Sequence, residues 1–326
     1  MNVLDPAGPV AAAIAGTAWL LIAGAAVIFI GVMALLAAAL WRRRRRDAAQ
    51  DEPPRRPAGA APDDRRLVRR WIIRGGLVFP GVVLAALLAH TAARTVALGD
   101  ALPHAEPVIS VTAHSWWWQV RYRTPDGGDV LLANEVHVPA GRPVTLGLAS
   151  ADVIHSFWVP QLAGKIDMVP GRVHRLRLQA DRPGVYRGQC AEFCGAQHAR
   201  MALLVVAHEP AEYERWLAAQ ARPAAAPADA QGQRGRAVFE AQRCGACHTV
   251  RGAAAGLASV ELGPDLTHVG SRRLLAAGTR PLDRDTLAAW IADPQQWKPG
   301  ARMPSYGDRL DDESLRALAA YLAQLE

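Results

Sequence analysis

Four cysteines stand in two close pairs, Cys190 with Cys194 and Cys244 with Cys247, and each pair lies among other residues able to hold a metal. In GQCAEFCGAQHARM, Cys190, Cys194 and His198 recur every four residues and Met201 follows three later. Two thiolates, an imidazole and a thioether are soft donors that select copper over hard cations. A symmetric site needs a further imidazole, and DVIHSFWVP offers His155 between apolar flanks. A Cys190–Cys194 disulfide would use the same thiols, and tetrahedral zinc would be satisfied by two cysteines and two histidines; Met201, a poor zinc ligand, favours copper. The second pair forms Cys244-Gly-Ala-Cys247-His248, the spacing at which two thiols add to the vinyl groups of haem and the adjacent imidazole binds its iron. Met303, in WKPGARMPSYG, is the only methionine after His248 and is the expected sixth ligand; His268 is its competitor. A thioether in that position gives a higher reduction potential than a second imidazole.

Both sets need a frame to hold them. From residue 107 to 208 the chain reads as β: VISVTAHSWWWQVRY, VLLANEVHVPAG, RPVTLGLAS, RVHRLRLQA and ALLVVAHE are rich in β-branched and aromatic residues, with Pro or Gly near most boundaries. Short strands at regular spacing predict a sandwich or barrel, closed by a helix over AEYERWLAAQ. Strand-like flanks place the first cysteine pair on a loop that clasps its metal. ARPAAAPADAQ, residues 221 to 231, reads as a linker of Ala and Pro; if flexible, it would span roughly 18 Å. Beyond it, helices are predicted over GRAVFEAQRCGACH, over DTLAAWIADP with Asp283 or Asp285 at its start, and over DDESLRALAAYLAQL, where Leu315, Leu318, Tyr321 and Leu322 share a face that would pack on the first of these helices. Trp290 is read as core, near enough to touch the haem edge.

Residues 6 to 41 carry no charge, and Trp19–Leu40 is long enough to cross a bilayer. Gly75–Ala93 is a second uncharged run. The net charge of +7 is wholly accounted for by residues 42 to 74, where 12 Arg stand against 5 acidic residues, so the rest of the chain sums to zero. Arginines between two spans mark the cytoplasmic loop, and no recognition motif accompanies them, which excludes a nucleic-acid partner. The expected domains are a transmembrane hairpin over 1–100 with spans at about 17–41 and 71–94, a β domain over 105–220, the linker, and a haem domain over 232–326. Both cysteine pairs then face the periplasmic side of a bacterial inner membrane, as does the N-terminus. The fold class is a multidomain membrane protein: a two-helix transmembrane hairpin, an all-β domain and an all-α domain.

The combination of DVIHSFWVP, AGKIDMVPGR, GQCAEFCGAQHARM and HSWWWQVRY resembles cytochrome c oxidase subunit II, a cupredoxin-like domain on a two-helix anchor, over roughly residues 15 to 220. The resemblance implies a binuclear CuA centre bridged by Cys190 and Cys194, with His155 and Met201 completing one copper and His198 and the Glu192 carbonyl the other. It implies that the Glu192 carboxylate reaches a magnesium ion at the boundary with subunit I. It also implies that Trp116 receives electrons and that Lys165, Asp167 and Arg172 pack on subunit I. Trp117 stands where the family often has Tyr. Two thiolates shared by two coppers spread one electron over both, so bond lengths change little on reduction. Residues 232 to 326 resemble a class I cytochrome c, which implies covalent haem c on Cys244, Cys247 and His248 with Met303, and a hydrogen bond from His248 to the Pro264 carbonyl. The order of domains is that of oxidases with a fused cytochrome c. The expected function is to accept electrons at the haem and pass them through CuA to subunit I, where oxygen is reduced to water and protons are pumped. Expected partners are subunit I, subunit III and an external donor such as a cytochrome c or bc complex. The alternatives are a CuA-containing nitric oxide reductase and a copper-delivery protein; the second has no use for a covalent haem.

Overall fold

The computed structural model describes residues 3–48, 62–99, 109–124, 127–252 and 262–326. The middle of the arginine-rich loop, including Arg55 and Arg56, the start of the expected β domain and part of the PDGGD turn lie outside the described residues.

Two compact units are distinguished, one formed by Met1–Ala12 with Pro103–Glu326 and the other by Ala13–Leu102. The second unit holds the apolar helices. Helix α1 runs over Pro9–Ala48, α2 over Pro62–Ile73 and α3 over Phe79–Gly99. The stretches Pro9–Ala48 and Arg65–Ala97 are each long and apolar enough to cross a membrane. Between α2 and α3 lies a π-helical turn, Arg74–Val78, in which the Phe79 N–H donates to the Arg74 carbonyl. The cause is Pro80, which brings no N–H to the ladder and crowds the carbonyl of the preceding turn; one wide turn relieves both faults without ending the helix.

In the first unit the β strands are β1 (Ile109–His114), β2 (Trp117–Arg123), β3 (Asp129–Ala133), β4 (Glu135–Pro139), β5 (Val144–Ser150), β6 (His155–Trp158), β7 (Ile166–Met168), β8 (His174–Leu178), β9 (Gly184–Cys190) and β10 (Ala202–His208). They form two five-stranded sheets, β3-β2-β1-β5-β8 and β4-β10-β9-β6-β7. Ile109, Val111, Trp118, Val120, Leu146, Leu148, Phe157 and Met168 fill the space between them. The segment read as one β stretch, VISVTAHSWWWQVRY, folds as a hairpin with His114 opposite Trp117. Ser115 and Trp116 make the turn, and this lifts Trp116 out of the sheet. Alternation of buried and open positions along β1 is that of a half-solvated strand, whereas every residue of β4 is buried. Its neighbour β10 is buried from Ala202 to Ala207. Both faces of these two strands are covered, as the near-continuous apolar run in β10 demands. Helix α4 (Pro210–Gln220) packs against this sheet, its Trp216 stacked 4.0 Å from the His137 ring. The helical C-terminal part also meets β4 and β10.

That part contains α5 (Ala230–Ala241), the short strands β11 (Leu274–Leu275) and β12 (Arg280–Pro281), α6 (Arg284–Ala292), one turn α7 (Pro294–Trp297) and α8 (Asp312–Ala323). Asp229, Asp283 and Asp311 cap three of the helices, Asp283 with Thr286 forming a reciprocal capping box. Helices α5 and α8 cross so closely that a Cβ on Gly235 would lie 2.0 Å from the Ala317 carbonyl oxygen. Phe239 and Tyr321 meet edge to face beside the crossing, with centroids 5.8 Å apart.

The Ala/Pro segment expected to be a tether is fastened along its length. Arg251 donates to the carbonyls of Gln220 and Ala221, the Ala224 N–H donates to the Arg251 carbonyl at 2.9 Å, and His268 faces the Arg222 carbonyl at 3.0 Å. Backbone groups that a solvated linker would leave to water are taken up by the helical domain.

Candidate copper and haem sites

Three pieces of the second sheet build the first site. His155 opens β6, Cys190 ends β9, and the loop from Ala191 returns through Cys194, His198 and Met201 into β10. The loop is closed at its base by the Cys190 N–H on the Met201 carbonyl (2.9 Å) and the Ala191 N–H on the Ser156 carbonyl (3.0 Å). The two sulfurs stand 3.8 Å apart, both as free thiols. Around them, His155 Nδ1 is 3.8 Å from Cys190 Sγ, the Glu192 carbonyl oxygen 3.2 Å from Cys190 Sγ, His198 Nδ1 3.6 Å from Cys194 Sγ, and Met201 Sδ 3.9 Å from Cys194 Sγ. All six groups named from the sequence thus converge. His155, Cys190, Cys194 and Met201 are buried.

Two thiols this close compete for one proton. The hydrogen bond with Cys194 favours the Cys190 thiolate against its desolvation, and His155 assists, so the Cys190 thiol is held well below its ordinary range. The same proximity pushes Cys194 up. Cys190 is therefore the readier thiolate of the two, and the donor set (two sulfurs to share, an imidazole on either side, a thioether and a carbonyl) fits a copper pair better than a single tetrahedral zinc.

Asp152 was not singled out by sequence reasoning, and it fixes the imidazole. Its carboxylate accepts from His155 Nε2 at 2.8 Å and from the backbone N–H groups of Val153 and Ser115, both at 2.7 Å. With Nε2–H engaged, Nδ1 is left as the lone pair aimed at the sulfurs. The only signal in the sequence was a carboxylate three residues before the histidine.

The second site is a cavity of about 340 Å³ lined largely by apolar side chains, with Cys244, Cys247, His248 and Met303 in its wall. His248 Nδ1 faces the Pro264 carbonyl at 2.8 Å, which leaves Nε2 for a metal. Gly263 clasps the other side of the ring: a Cβ there would lie 2.7 Å from His248 Cε1. His268 does not line the cavity, so it brings nothing to compete with Met303. Arg272 does line it, buried, with one side-chain hydrogen bond to the Asp265 carbonyl and with its Nε unpartnered among the described residues. A buried guanidinium beside two thiols, an imidazole and apolar walls suits the anionic propionates of a porphyrin. Trp290 also lines the cavity and lies 6.2 Å from the Trp297 ring.

Trp116 belongs to both places. Its indole N–H donates to the Cys194 carbonyl at 2.8 Å, and it lines the cavity that holds His248 and Met303, as does Trp117. Glycines admit the ring: a Cβ on Gly195 would come within 3.2 Å of it. Glu192 and Lys165 are half-exposed and face each other at 3.4 Å, and Lys165 also binds Asp167 at 3.0 Å. Phe193, beside Glu192, is 77% exposed.

Such a chain is a cupredoxin-like domain with a dithiolate metal loop, joined to a c-type cytochrome domain and preceded by two apolar helices. Residues 124–208 match the family described as cytochrome C oxidase subunit II, periplasmic domain, and residues 232–326 match cytochrome c. Cytochrome c oxidase subunit 2 of Alkalihalophilus pseudofirmus is 39% identical over 254 residues, covering 76% of this chain and 71% of the relative. The protein of the same description from Bacillus subtilis is 28% identical over 263 residues, covering 76% and 73%. Among solved structures, the periplasmic domain of subunit II of cytochrome oxidase of Bradyrhizobium japonicum is 31% identical, covering 36% of this chain and 95% of that one, with a TM-score of 0.34. The chain belongs to the cytochrome c oxidase subunit 2 family, and carries in addition a C-terminal cytochrome c domain. It is accordingly an oxidoreductase subunit, and its family implies CuA copper and haem c.

Proposed function

We propose that this chain receives electrons for a haem–copper oxidase: an external donor reduces haem c, the electron crosses to CuA, and subunit I takes it for the reduction of oxygen to water coupled to proton pumping. Cys190 and Cys194 would hold the copper pair between them, with His155, Met201, His198 and the Glu192 carbonyl as the remaining donors. Cys244 and Cys247 would hold the porphyrin, His248 and Met303 would bind its iron, and Pro264 orients His248. When bound, the two groups supply one-electron redox chemistry; the chain supplies their geometry and the contact between them. The observation that carries this reading is Trp116, whose ring lines the haem cavity while its N–H rests on the backbone of a copper ligand. A path through one indole and one hydrogen bond needs no diffusing carrier between the two centres.

The N-terminal segment supports the proposed orientation. The Ala7 N–H donates to the Gln161 carbonyl and the Asp181 N–H to the Ala7 carbonyl, so the residues before α1 pack on the β domain. Two spans between them then return the chain to the side it left. The arginine loop stays cytoplasmic, and both redox domains lie on the periplasmic side of a bacterial inner membrane. Lys165, Asp167 and Arg172, with exposed Phe193, form the face we assign to subunit I, where the Glu192 carboxylate would reach a magnesium ion. Subunit III and a cytochrome c or bc complex are the remaining proposed partners.

The test is the order of reduction. In the purified oxidase, stopped-flow mixing with a reduced donor should show haem absorbance changing before that of copper. Cys247→Ala, which leaves one thioether at most, should abolish the first phase and slow the second. Copper reduced at the wild-type rate in that variant would overturn the reading.

A further inference from the structure

Lys298 is one of only two lysines in the chain and is 4% exposed. It belongs to the cytochrome domain, yet its Nζ donates to the Trp116 carbonyl of the copper domain at 2.5 Å and to the Ala276 carbonyl at 3.3 Å. No carboxylate pairs with it among the described residues. Burying a long amine-bearing side chain against two carbonyls, where desolvation pushes the amine down to about 7, is unfavourable unless the position demands it, and what it touches is the backbone of a residue shared by both redox sites.

The surrounding contacts give the position its meaning. Ala276 and Ala277, in the turn between β11 and β12, both have left-handed backbones, with φ of 52° and 56°. Such residues are held there only by their surroundings. Here the surroundings are the Thr279 hydroxyl, at 2.8 Å, and the Lys298 amine on the Ala276 carbonyl, with the Ala202 N–H, at the head of β10, on the Ala277 carbonyl at 3.0 Å. Next to Lys298, the Pro299 carbonyl accepts from Gln197 Nε2 at 2.7 Å and the Trp297 carbonyl accepts from Arg200. Gln197 and Arg200 lie on the metal loop itself, between Cys194 and Met201. The Gly300 backbone then covers the Trp116 ring, its hypothetical Cβ 3.5 Å from the indole. Segment 297–300 is thus a finger laid across Trp116 and the copper loop, with Lys298 its only side chain reaching the Trp116 backbone.

We propose that Lys298 is a positioning residue: it pins the haem domain onto the copper domain through the Trp116 carbonyl, and so fixes the indole that joins the two redox sites. This rests on the electron path given above. Without the amine, the Trp116 carbonyl loses the Lys298 donor and the Ala276 carbonyl keeps only the Thr279 hydroxyl, so the left-handed turn loses its tie to Trp116. The domains stay tethered, but the docked arrangement is populated less.

The experiment uses the full-length chain in detergent, loaded with copper and haem c, comparing wild type with Lys298→Met, which keeps length and apolar bulk but removes the donor. An electron is injected into the haem by a photoexcited ruthenium complex and its arrival at copper is followed optically. Amide exchange at Ala202 is measured by mass spectrometry in the same samples. The variant should transfer about tenfold more slowly and exchange Ala202 about tenfold faster, the loss expected when a hydrogen bond is removed, with metal content unchanged. Transfer within twofold of wild type, or unaltered Ala202 exchange, would overturn the proposal. If the loaded wild type passed no electron from haem to copper, the electron path would fall instead, and the pin would still be judged by Ala202. Should Lys298→Met not accumulate, Lys298→Gln is read by the same two measurements.

Discussion

Gly263→Ala puts one methyl group against the haem-binding imidazole. The added Cβ would sit 2.7 Å from His248 Cε1, 3.0 Å from its Nδ1 and 3.2 Å from the Cys247 carbonyl oxygen. Ordinary contact begins at 3.4 Å, so the ring must retreat by about 0.7 Å. It has little room to do so, because Nδ1 is tied to the Pro264 carbonyl at 2.8 Å and the Gly263 N–H to the Cys247 carbonyl at 3.1 Å. Overpacking of this kind costs roughly 1–3 kcal/mol. Stretching the His248–Pro264 bond beyond use adds about 1 kcal/mol. The stiffer unfolded chain returns roughly 0.4–1 kcal/mol. The net loss is about 1–3.5 kcal/mol, which for a domain of this size lowers Tm by roughly 4–8 °C per kcal/mol. Calorimetry on the loaded full-length chain should show the haem-domain transition lowered by at least 4 °C, with a weakened thioether–iron charge-transfer band because the imidazole that would bind the iron is displaced. An unchanged transition with an unchanged band would refute the claim that His248 is held between Gly263 and Pro264.

Three further outcomes follow from the copper domain. Asp152→Asn should weaken copper retention about 10- to 100-fold in a chelator competition, because His155 loses the carboxylate that orients it; retention equal to wild type would remove Asp152 from the site. Met201→Leu should keep both coppers but shift the copper midpoint potential and slow transfer to subunit I, and an unmoved potential in a redox titration would rule out a ligand role. Burial, against the pull of Glu135, keeps His137 below its ordinary value of 6.5, and burial with the neighbouring His137 does the same for His208. The unfolded chain therefore takes up protons near pH 6.5 that the folded domain refuses, so this contribution to stability is intact above that pH and is lost as pH falls toward the lower folded values. The β-domain melting temperature should drop between pH 7 and pH 5, and His208→Gln should flatten that slope.

What was legible in the sequence was local. The copper ligands fall within one loop plus a single histidine, and the haem ligands within five residues plus a single methionine, so residue type and spacing carried the chemistry. The start of the helix over DTLAAWIADP was readable to within Asp283 or Asp285 for the same reason, and Asp283 is the cap. What was not legible depends on contacts between distant segments. Asp152 looks like any loop carboxylate until Ser115 and His155 are brought to it. Gly263 is unremarked until the imidazole folds against it. The stretch around Trp116 reads as β without a break because it is rich in β-branched and aromatic residues; only pairing across the Ser115–Trp116 turn reveals the hairpin. The Ala/Pro segment has the composition of a free spacer, yet Arg251 and His268, far along the chain, bind its carbonyls. Lys298 in the sequence is one more basic residue near a methionine, and its place under Trp116 exists only once the two domains meet.

The central claim is that Cys190 and Cys194 hold a copper pair and that Cys244 and Cys247 hold a porphyrin in the same chain. Electron paramagnetic resonance on the purified, partly reduced protein, with copper and iron counted on the same sample, tests it most directly. One unpaired electron shared equally by two copper nuclei, with two coppers and one haem iron per chain, is the predicted result. A mononuclear copper pattern, or a Cys190–Cys194 disulfide with no copper bound, would contradict it.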